Sequence, residues 1–342
     1  MTTALNTLFI TAEGTRLNKE GECVVVTIQE EKKAEVPLRH LRSVVCLARA
    51  WLTPELMESC VEAGIHVSFF GMTGRFLARV EGLPGGNVLL RRQQFRAADD
   101  PAVTLRLARA IVVGKVANAR QFLQHARRDA AEEARLPLEE ASRRLSEHLR
   151  ALERAEDLDP VRGLEGIAAR DYFEAFPALL KGDARRFSFD GRNRRPPRDP
   201  LNALLSFGYA LLAQDCAGAL AGVGLDPAVG FLHEDRPGRL SLALDLMEEL
   251  RSPVVDRLVL SLVNRAQLKP EDFKTEAAGA VLLKDDARKT FLVAYQNAKQ
   301  GSVQHPFLGQ QTTWGLVPHL QALLLARTLR GELDGYPPFT VR

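Results

Sequence analysis

"EGLPGGNVLL", residues 81–90, divides the sequence into two kinds of pattern. Pro84 and the Gly85–Gly86 pair stop any regular element, because proline lacks a backbone donor and paired glycines leave the chain unrestrained. Upstream lie short runs of β-type composition: "TLFIT" (7–11), "CVVVTI" (23–28), "SVVCL" (43–47), "IHVSFF" (65–70) and "RFLARV" (75–80). Turn signals such as "AEG" and "KEGE" separate them. A single helix interrupts this half, "TPELMESCVEAG" (53–64), with Thr53 as cap and Gly64 as stop. Downstream the strands vanish, and long segments rich in Ala, Leu, Arg and Glu take over with helical spacing. The spacing predicts an α+β chain, β-rich over residues 1–95 and all-α over 96–342.

The 342 residues suffice for two domains, and 46% hydrophobic content supports a core in each. Lys+Arg 46 against Asp+Glu 43 leaves a formal charge of +3, so a basic footprint has to come from local clustering. Cys23, Cys46, Cys60 and Cys216 form no C-x-x-C pair, which argues against a zinc knuckle or disulfide framework and suits a reducing compartment. The N-terminus has no basic region followed by a long apolar run, so a cytoplasmic protein without a membrane partner is expected. The apolar stretch 201–225 reaches membrane-spanning length, but Asn202, Gln214 and Asp215 interrupt it, and a buried core helix is expected there.

Residues 101–155 read as two or three helices with solvated charged faces, and Pro137 is expected to break them. "ARRFSFDGRNRRPPRDP" (184–200) carries six arginines and three prolines and reads as a basic mobile loop. Its Arg185, Arg186, Arg192, Arg194, Arg195 and Arg198 are candidate phosphate contacts, giving salt-dependent affinity without sequence choice.

"HEDRPGRLSLALDLMEEL" (233–250) sets His233 ahead of a helix on which Ser241, Asp245, Glu248 and Glu249 share one face. A solvated acidic face is the simplest reading. Yet Asp245 and Glu249 are like charges at i,i+4, and no Lys or Arg stands at i+4 from any of the three acids, so a bound cation would relieve the cluster. Upstream, "RGLEGIAARDYFEAF" (162–176) places Glu165 on the stripe of Ala168, Ala169, Tyr172 and Phe176. A carboxylate on such a face costs several kcal/mol of desolvation, on the order of a buried charge, unless an ion or charged partner compensates. The alternative for Glu165 is an acid at a helix N-terminus, stabilised by the dipole between Gly163 and Gly166. One imidazole with two or three carboxylates makes a hard, oxygen-rich site suited to Mg²⁺ or Mn²⁺, and such an ion promotes phosphodiester chemistry.

Taken in register, "LNTLFITAEGTRLNKEGE", "LEGIAARDYF", "DPLNALLSFGYALL" and "GFLHEDRPGRLSLALDLMEELR" resemble Cas1, the CRISPR-associated endonuclease and integrase family of spacer acquisition. The resemblance runs from about residue 5 to about residue 330. It implies an N-terminal β-sandwich-like dimerisation domain (1–95) and a larger all-α catalytic domain (96–342). It also implies metal ligation and catalysis by Glu165, His233 and Glu248, with Asp245 a further ligand or a supporting residue, and Glu249 facing away or paired with arginine. The implied reaction is transesterification: the 3′-hydroxyl of a captured DNA fragment attacks a phosphodiester at the edge of a CRISPR repeat. The implied partners are DNA, a second copy of the chain, and a Cas2 dimer completing a six-chain integration complex. A general metal-dependent repair nuclease and a non-catalytic DNA-binding scaffold are the competing readings.

Overall fold

The computed structural model describes residues 6–71, 76–82, 88–193 and 196–341, and these divide into two compact units. Residues 1–85 together with 285–300 make the first, and 86–284 with 301–342 the second. Residue 95, the expected boundary, falls inside the first helix of the second unit.

The first unit holds strands β1 (Asn6–Ile10), β2 (Thr15–Glu20), β3 (Cys23–Ile28), β4 (Glu31–Pro37), β5 (Leu41–Cys46) and β6 (Ala50–Leu52). Helix α1 (Pro54–Glu62), β7 (His66–Phe70) and β8 (Phe76–Val80) follow. One sheet runs β1-β5-β7-β8, with β1, β5 and β7 parallel; the other runs β4-β3-β2-β6. Ile10, Leu17, Val24, Val44, Leu56, Cys60 and Val67 belong to one core, so the two sheets and α1 bury their apolar faces together. Thr53 caps α1, and Gly64 stops it with a φ of 66°. The separate apolar runs do not include β2, β4 or β6: "TRLNKE" and "EKKAEVP" are too polar, and β6 is only three residues long. β2 buries only its alternate residues Thr15 and Leu17. β4 is an edge strand with residues 31–35 exposed, and its charges guard the open edge.

The second unit begins with α2 (Val88–Asp99), α3 (Pro101–Arg128), α4 (Glu132–Glu153), α5 (Leu158–Glu174) and α6 (Pro200–Gly222). It continues through α7 (Ser241–Glu248) and α8 (Arg257–Asn264), joined by a π-helical turn, Arg251–Asp256. Two short hairpins, β9 (Phe273–Thr275) with β10 (Val281–Leu283) and β11 (Ser302–Gln304) with β12 (Gln311–Thr313), make this part mostly rather than wholly helical. Helix α9 (Asp285–Gln300) lies between them in the chain but belongs to the first unit, and α10 (Val317–Leu329) closes the second.

Asp100 caps α3 by accepting from the backbone of Ala102 at 2.8 Å and Val103 at 3.2 Å, and Pro101 fits the first turn, where no donor is needed. Helix α3 then runs for 28 residues and packs on α4, α5, α7 and the π-helical turn. Pro137 does not break α4: it forfeits one hydrogen bond near the helix start, while Leu138, Ala141 and Leu145 stay buried. Helix α6 is long and apolar enough to cross a membrane, yet 61% of its most apolar window is buried inside the fold, as a core helix requires. The segment after α10 is tied to α3, since Asn118 donates to Glu249 O (2.6 Å) and Phe339 O (2.8 Å) and accepts from Val341 N (2.8 Å).

Candidate metal centre

The acidic face of α7 is not solvated. Ser241, Asp245 and Glu249 are fully buried and Glu248 is 3% exposed. Burial on this scale demands compensation for each charge, and each acid finds a different one.

Asp245 is consumed by the loop before the helix. Its Oδ2 accepts from Phe231 N (2.7 Å) and Leu232 N (3.0 Å), and its Oδ1 accepts from His233 N (3.0 Å) and lies 2.7 Å from His233 Nδ1. Because a carboxylate only accepts, Nδ1 carries a proton toward Asp245, and in the neutral imidazole it is Nε2 that keeps the lone pair. That nitrogen lies 3.9 Å from Glu248 Oε1. Gly230 permits the close turn: a Cβ there would lie 2.8 Å from Ser241 Cβ and 3.0 Å from Asp245 Oδ2. Ser241 Oγ donates to Glu234 O at 2.9 Å, so it holds the loop and attacks nothing.

Glu248 meets two cations that the i+4 reading overlooked. Arg251, at i+3, brings Nη2 to 2.8 Å from Oε1, and Lys115 of α3 brings Nζ to 2.7 Å from Oε2. The Lys115 contact is an ion pair poorly aligned for a hydrogen bond, so the buried Oε2 lacks a well-directed partner. Burial works against the ionised form, but Arg251, then Lys115 and His233, hold the Glu248 carboxyl down to about 2. Arg251 is itself fixed, its guanidinium 4.7 Å from the centre of the Tyr209 ring. The hydroxyls of Tyr209 (2.5 Å) and Tyr172 (2.9 Å) both donate to the buried Asp256.

Glu165 lies in the third turn of α5, seven residues past the helix start at Leu158, so the dipole does not account for it. It is half-buried, and its carboxylate pairs with the same Lys115 ammonium. Glu165, Glu248 and the Nε2 of His233 therefore gather at one place, from α5, α7 and the loop before α7. Glu249 points elsewhere, and among the described residues no arginine pairs with it. It accepts from Tyr336 Oη (2.5 Å), Gln321 Nε2 (3.0 Å) and Phe339 N (2.7 Å), and burial raises its carboxyl to about 7 against those bonds.

Among the described residues, no three His, Cys, Asp or Glu side chains already stand as a closed ligand sphere, because the Lys115 ammonium lies between the two glutamates. The donor set nevertheless fits a divalent ion. One imidazole nitrogen is free, one buried carboxylate oxygen lacks a directional partner, and a cation already sits where the two carboxylates converge. The cluster borders a small cavity of about 30 Å³, lined by Ala168, Tyr172, Tyr209 and Asp256 among others. A larger cavity of about 910 Å³ lies away from it, among α2, α3 and the turn after α10.

Lys115 and Arg251 escaped the sequence reading. For Lys115 the signal was present: "AIVVGKVANA" (110–119) sets one lysine in an apolar run, as Glu165 is set in its own. Several described arginines of the segment 184–200 have specific partners. Arg185 pairs with Glu133 (2.8 Å) and Arg186 with Glu271 (2.5 Å). Arg192 donates to Asn202 Oδ1 (2.5 Å) and Ser206 Oγ (3.0 Å), whereas Arg198 is exposed. Arg194 and Arg195 lie outside the described residues.

The family model described as CRISPR associated protein Cas1 matches residues 8–297. The chain belongs to the Cas1 family. The CRISPR-associated endonuclease Cas1 1 of Chlorobaculum tepidum is 48% identical over 339 residues, covering 99% of both chains. As a Cas1 protein the chain is an endonuclease and integrase of CRISPR adaptation. Two solved structures share the fold at lower identity. A casposase bound to integration product superposes with a TM-score of 0.83 at 22% identity, over 98% of this chain and 94% of that one. The Cas6-RT-Cas1–Cas2 complex gives 0.83 at 24%, covering all of this chain and 36% of the other. The β-then-helical order of this Cas1 chain is thus the order of its structural neighbours.

Proposed function

We propose that Glu165, His233 and Glu248 ligate a divalent ion, Mg²⁺ or Mn²⁺, and that Asp245 supports His233 from behind without touching the ion. The observation that carries this is the convergence of two carboxylates from separate helices on one ammonium, beside an imidazole whose Nε2 is free. Such an ion, when bound, offsets charge on the phosphoryl oxygen and on the departing oxygen. The chain's own residues do the positioning. Asp245 fixes the tautomer and tilt of His233, and Arg251, braced by Tyr209, keeps Glu248 ionised and oriented. The reaction is the in-line attack of a DNA 3′-hydroxyl on a repeat phosphodiester, with the displaced strand leaving as a 3′-hydroxyl. It calls for no protein nucleophile.

DNA is held through its phosphates. Arg198 and the outer faces of Arg185 and Arg186 serve here, because ion pairs between exposed groups are weak enough to exchange for phosphate. Arg194 and Arg195 belong to the same set, while Arg192 shapes the segment from within. A groove of about 360 Å³ between α3 and α4, lined by Arg120, Arg127, Arg143 and Arg150, supports the same reading. The chain works in the cytoplasm as a homodimer through its N-terminal unit, and two dimers flank a Cas2 dimer. The Cas1–Cas2 assembly of its structural neighbour and the four free thiols support this.

Strand transfer by purified protein with Mn²⁺ tests the centre. E165Q and H233A are expected to lose activity by about 100-fold or more, beyond the effect of a supporting residue. Undiminished transfer by either variant overturns the assignment. Equal activity on repeat DNA and random duplex would favour a repair nuclease instead.

A further inference from the structure

Lys115 stands where a divalent ion would be held, and this inference rests on Glu165 and Glu248 being ligands. Its side chain is 12% exposed on α3, in the run between Val112 and Val116, both buried. An ammonium in such surroundings persists only if its charge is met, and it is met by the two carboxylates.

The two cations of the centre are held differently. Arg251 is stacked on Tyr209 at 4.7 Å and aimed at Glu248 Oε1 at 2.8 Å, so its place is fixed from two sides. Lys115 reaches Glu248 Oε2 at 2.7 Å, poorly aligned for a hydrogen bond and on a flexible four-carbon stem. Glu248 would keep Arg251 if Lys115 withdrew. Glu165 would not keep a partner, since Lys115 is its one ion-pair partner among the described residues.

We propose that Lys115 is a resident counter-cation: it occupies the place of the divalent ion in the ion-free protein and is displaced when the ion binds. It keeps Glu165 and Glu248 together before the ion arrives, at the cost of competing with it. Ion affinity is therefore set lower than the donor set alone would give, and the ion-free fold is spared the repulsion of uncompensated acids.

Mn²⁺ binding to ion-free protein, followed by electron paramagnetic resonance, tests this with wild type, K115M, K115R and E248Q. K115M keeps the length and removes the charge, and its affinity is expected to rise roughly tenfold, equivalent to about 1.4 kcal/mol. K115R keeps the charge and is expected to bind no more tightly than wild type. K115M should also melt lower without ion and gain more from Mn²⁺ than wild type does. Unchanged or weaker Mn²⁺ affinity in K115M overturns the proposal. E248Q separates the two failures: if it binds like wild type, the ligand assignment itself fails, whereas its loss of binding with no gain in K115M sinks only the role of Lys115. Should K115M not fold, the lysine Cε resonance of Lys115 in wild type, assigned through K115R, decides. It is expected to shift on addition of Mg²⁺, and a resonance that stays in place overturns the proposal.

Discussion

Glu248 and Glu249 are adjacent in sequence, and their carboxylates serve opposite ends of a chemical scale. Arg251, Lys115 and His233 hold Glu248 down to about 2 against its burial, while burial raises Glu249 to about 7. One faces Lys115 and His233, and the other anchors the segment after α10 through Tyr336, Gln321 and Phe339. E248Q is therefore expected to reduce strand transfer by on the order of 100-fold with the fold intact. E249Q is expected to leave Mn²⁺ affinity unchanged and to lower stability by about 1–3 kcal/mol, because its amide meets donors in place of an acceptor. Calorimetry beside a transfer assay separates the two; a stable but inactive E249Q would refute the division of roles.

Asp245 accepts from the backbone of His233 and lies 2.7 Å from its Nδ1. Replacing it by asparagine turns an acceptor of four donors into a group whose amide end opposes backbone N–H. D245N is expected to weaken Mn²⁺ binding roughly 10- to 100-fold, the usual loss for a residue that orients a ligand. Titration of ion-free protein measures it, and unchanged affinity counts against the assignment.

Gly230 is required by space. The methyl of G230A would collide with Ser241 at 2.8 Å and Asp245 at 3.0 Å, and relief has to come from moving the loop that carries His233. The expected cost is about 1–3 kcal/mol of stability, with reduced transfer. Wild-type melting together with full activity in G230A would show that the loop yields freely.

Asp256 gives stability a distinctive dependence on pH. Burial raises its carboxyl from 3.8 to about 6, against hydrogen bonds from Tyr209 and Tyr172 and the charges of Arg251 and Arg192. Between those values the folded chain keeps a proton that the unfolded chain has released, so stability falls as pH rises from about 4 to about 6. Glu249, raised to about 7, adds the same sign up to that pH. Glu248 has the opposite sign, contributing stability above its ordinary value that is lost only as pH falls toward about 2. Melting temperatures of wild type between pH 4 and 7 should therefore decline with rising pH. D256N should flatten part of that decline, and an unaltered slope in D256N would refute it.

Arg198 is exposed, whereas Arg192 is bonded to Asn202 and Ser206. R198A is expected to reduce the slope of log affinity against log salt by about 0.9, one phosphate contact. R192A loses bonds to Asn202 and Ser206 and is expected to lower the melting temperature without changing that slope. A salt titration of duplex binding by both variants tells them apart.

Much of the order of strands and helices was legible in the sequence because it depends on local properties, whereas the polar strands β2 and β4 and the short hairpins β9–β10 and β11–β12 were not. The β-branched run in "CVVVTI", the cap at Thr53 and the stop at Gly64 act within a few residues. Glu165 was legible for the same reason, since a carboxylate on an apolar stripe announces a buried charge. Periodicity tells which face of a helix is covered, but not by what. Lys115 reaches Glu165 across 50 residues, and Glu249 reaches Tyr336 across 87. Only the packing of α3 against α5 and α7 decides which cation meets which acid, and only the path of the C-terminal segment sends Glu249 away from the centre. Charge pairing over such distances follows from how helices stack, and so the tertiary structure alone separated the acid that meets Lys115 and Arg251 from the acid that fastens the C-terminal segment.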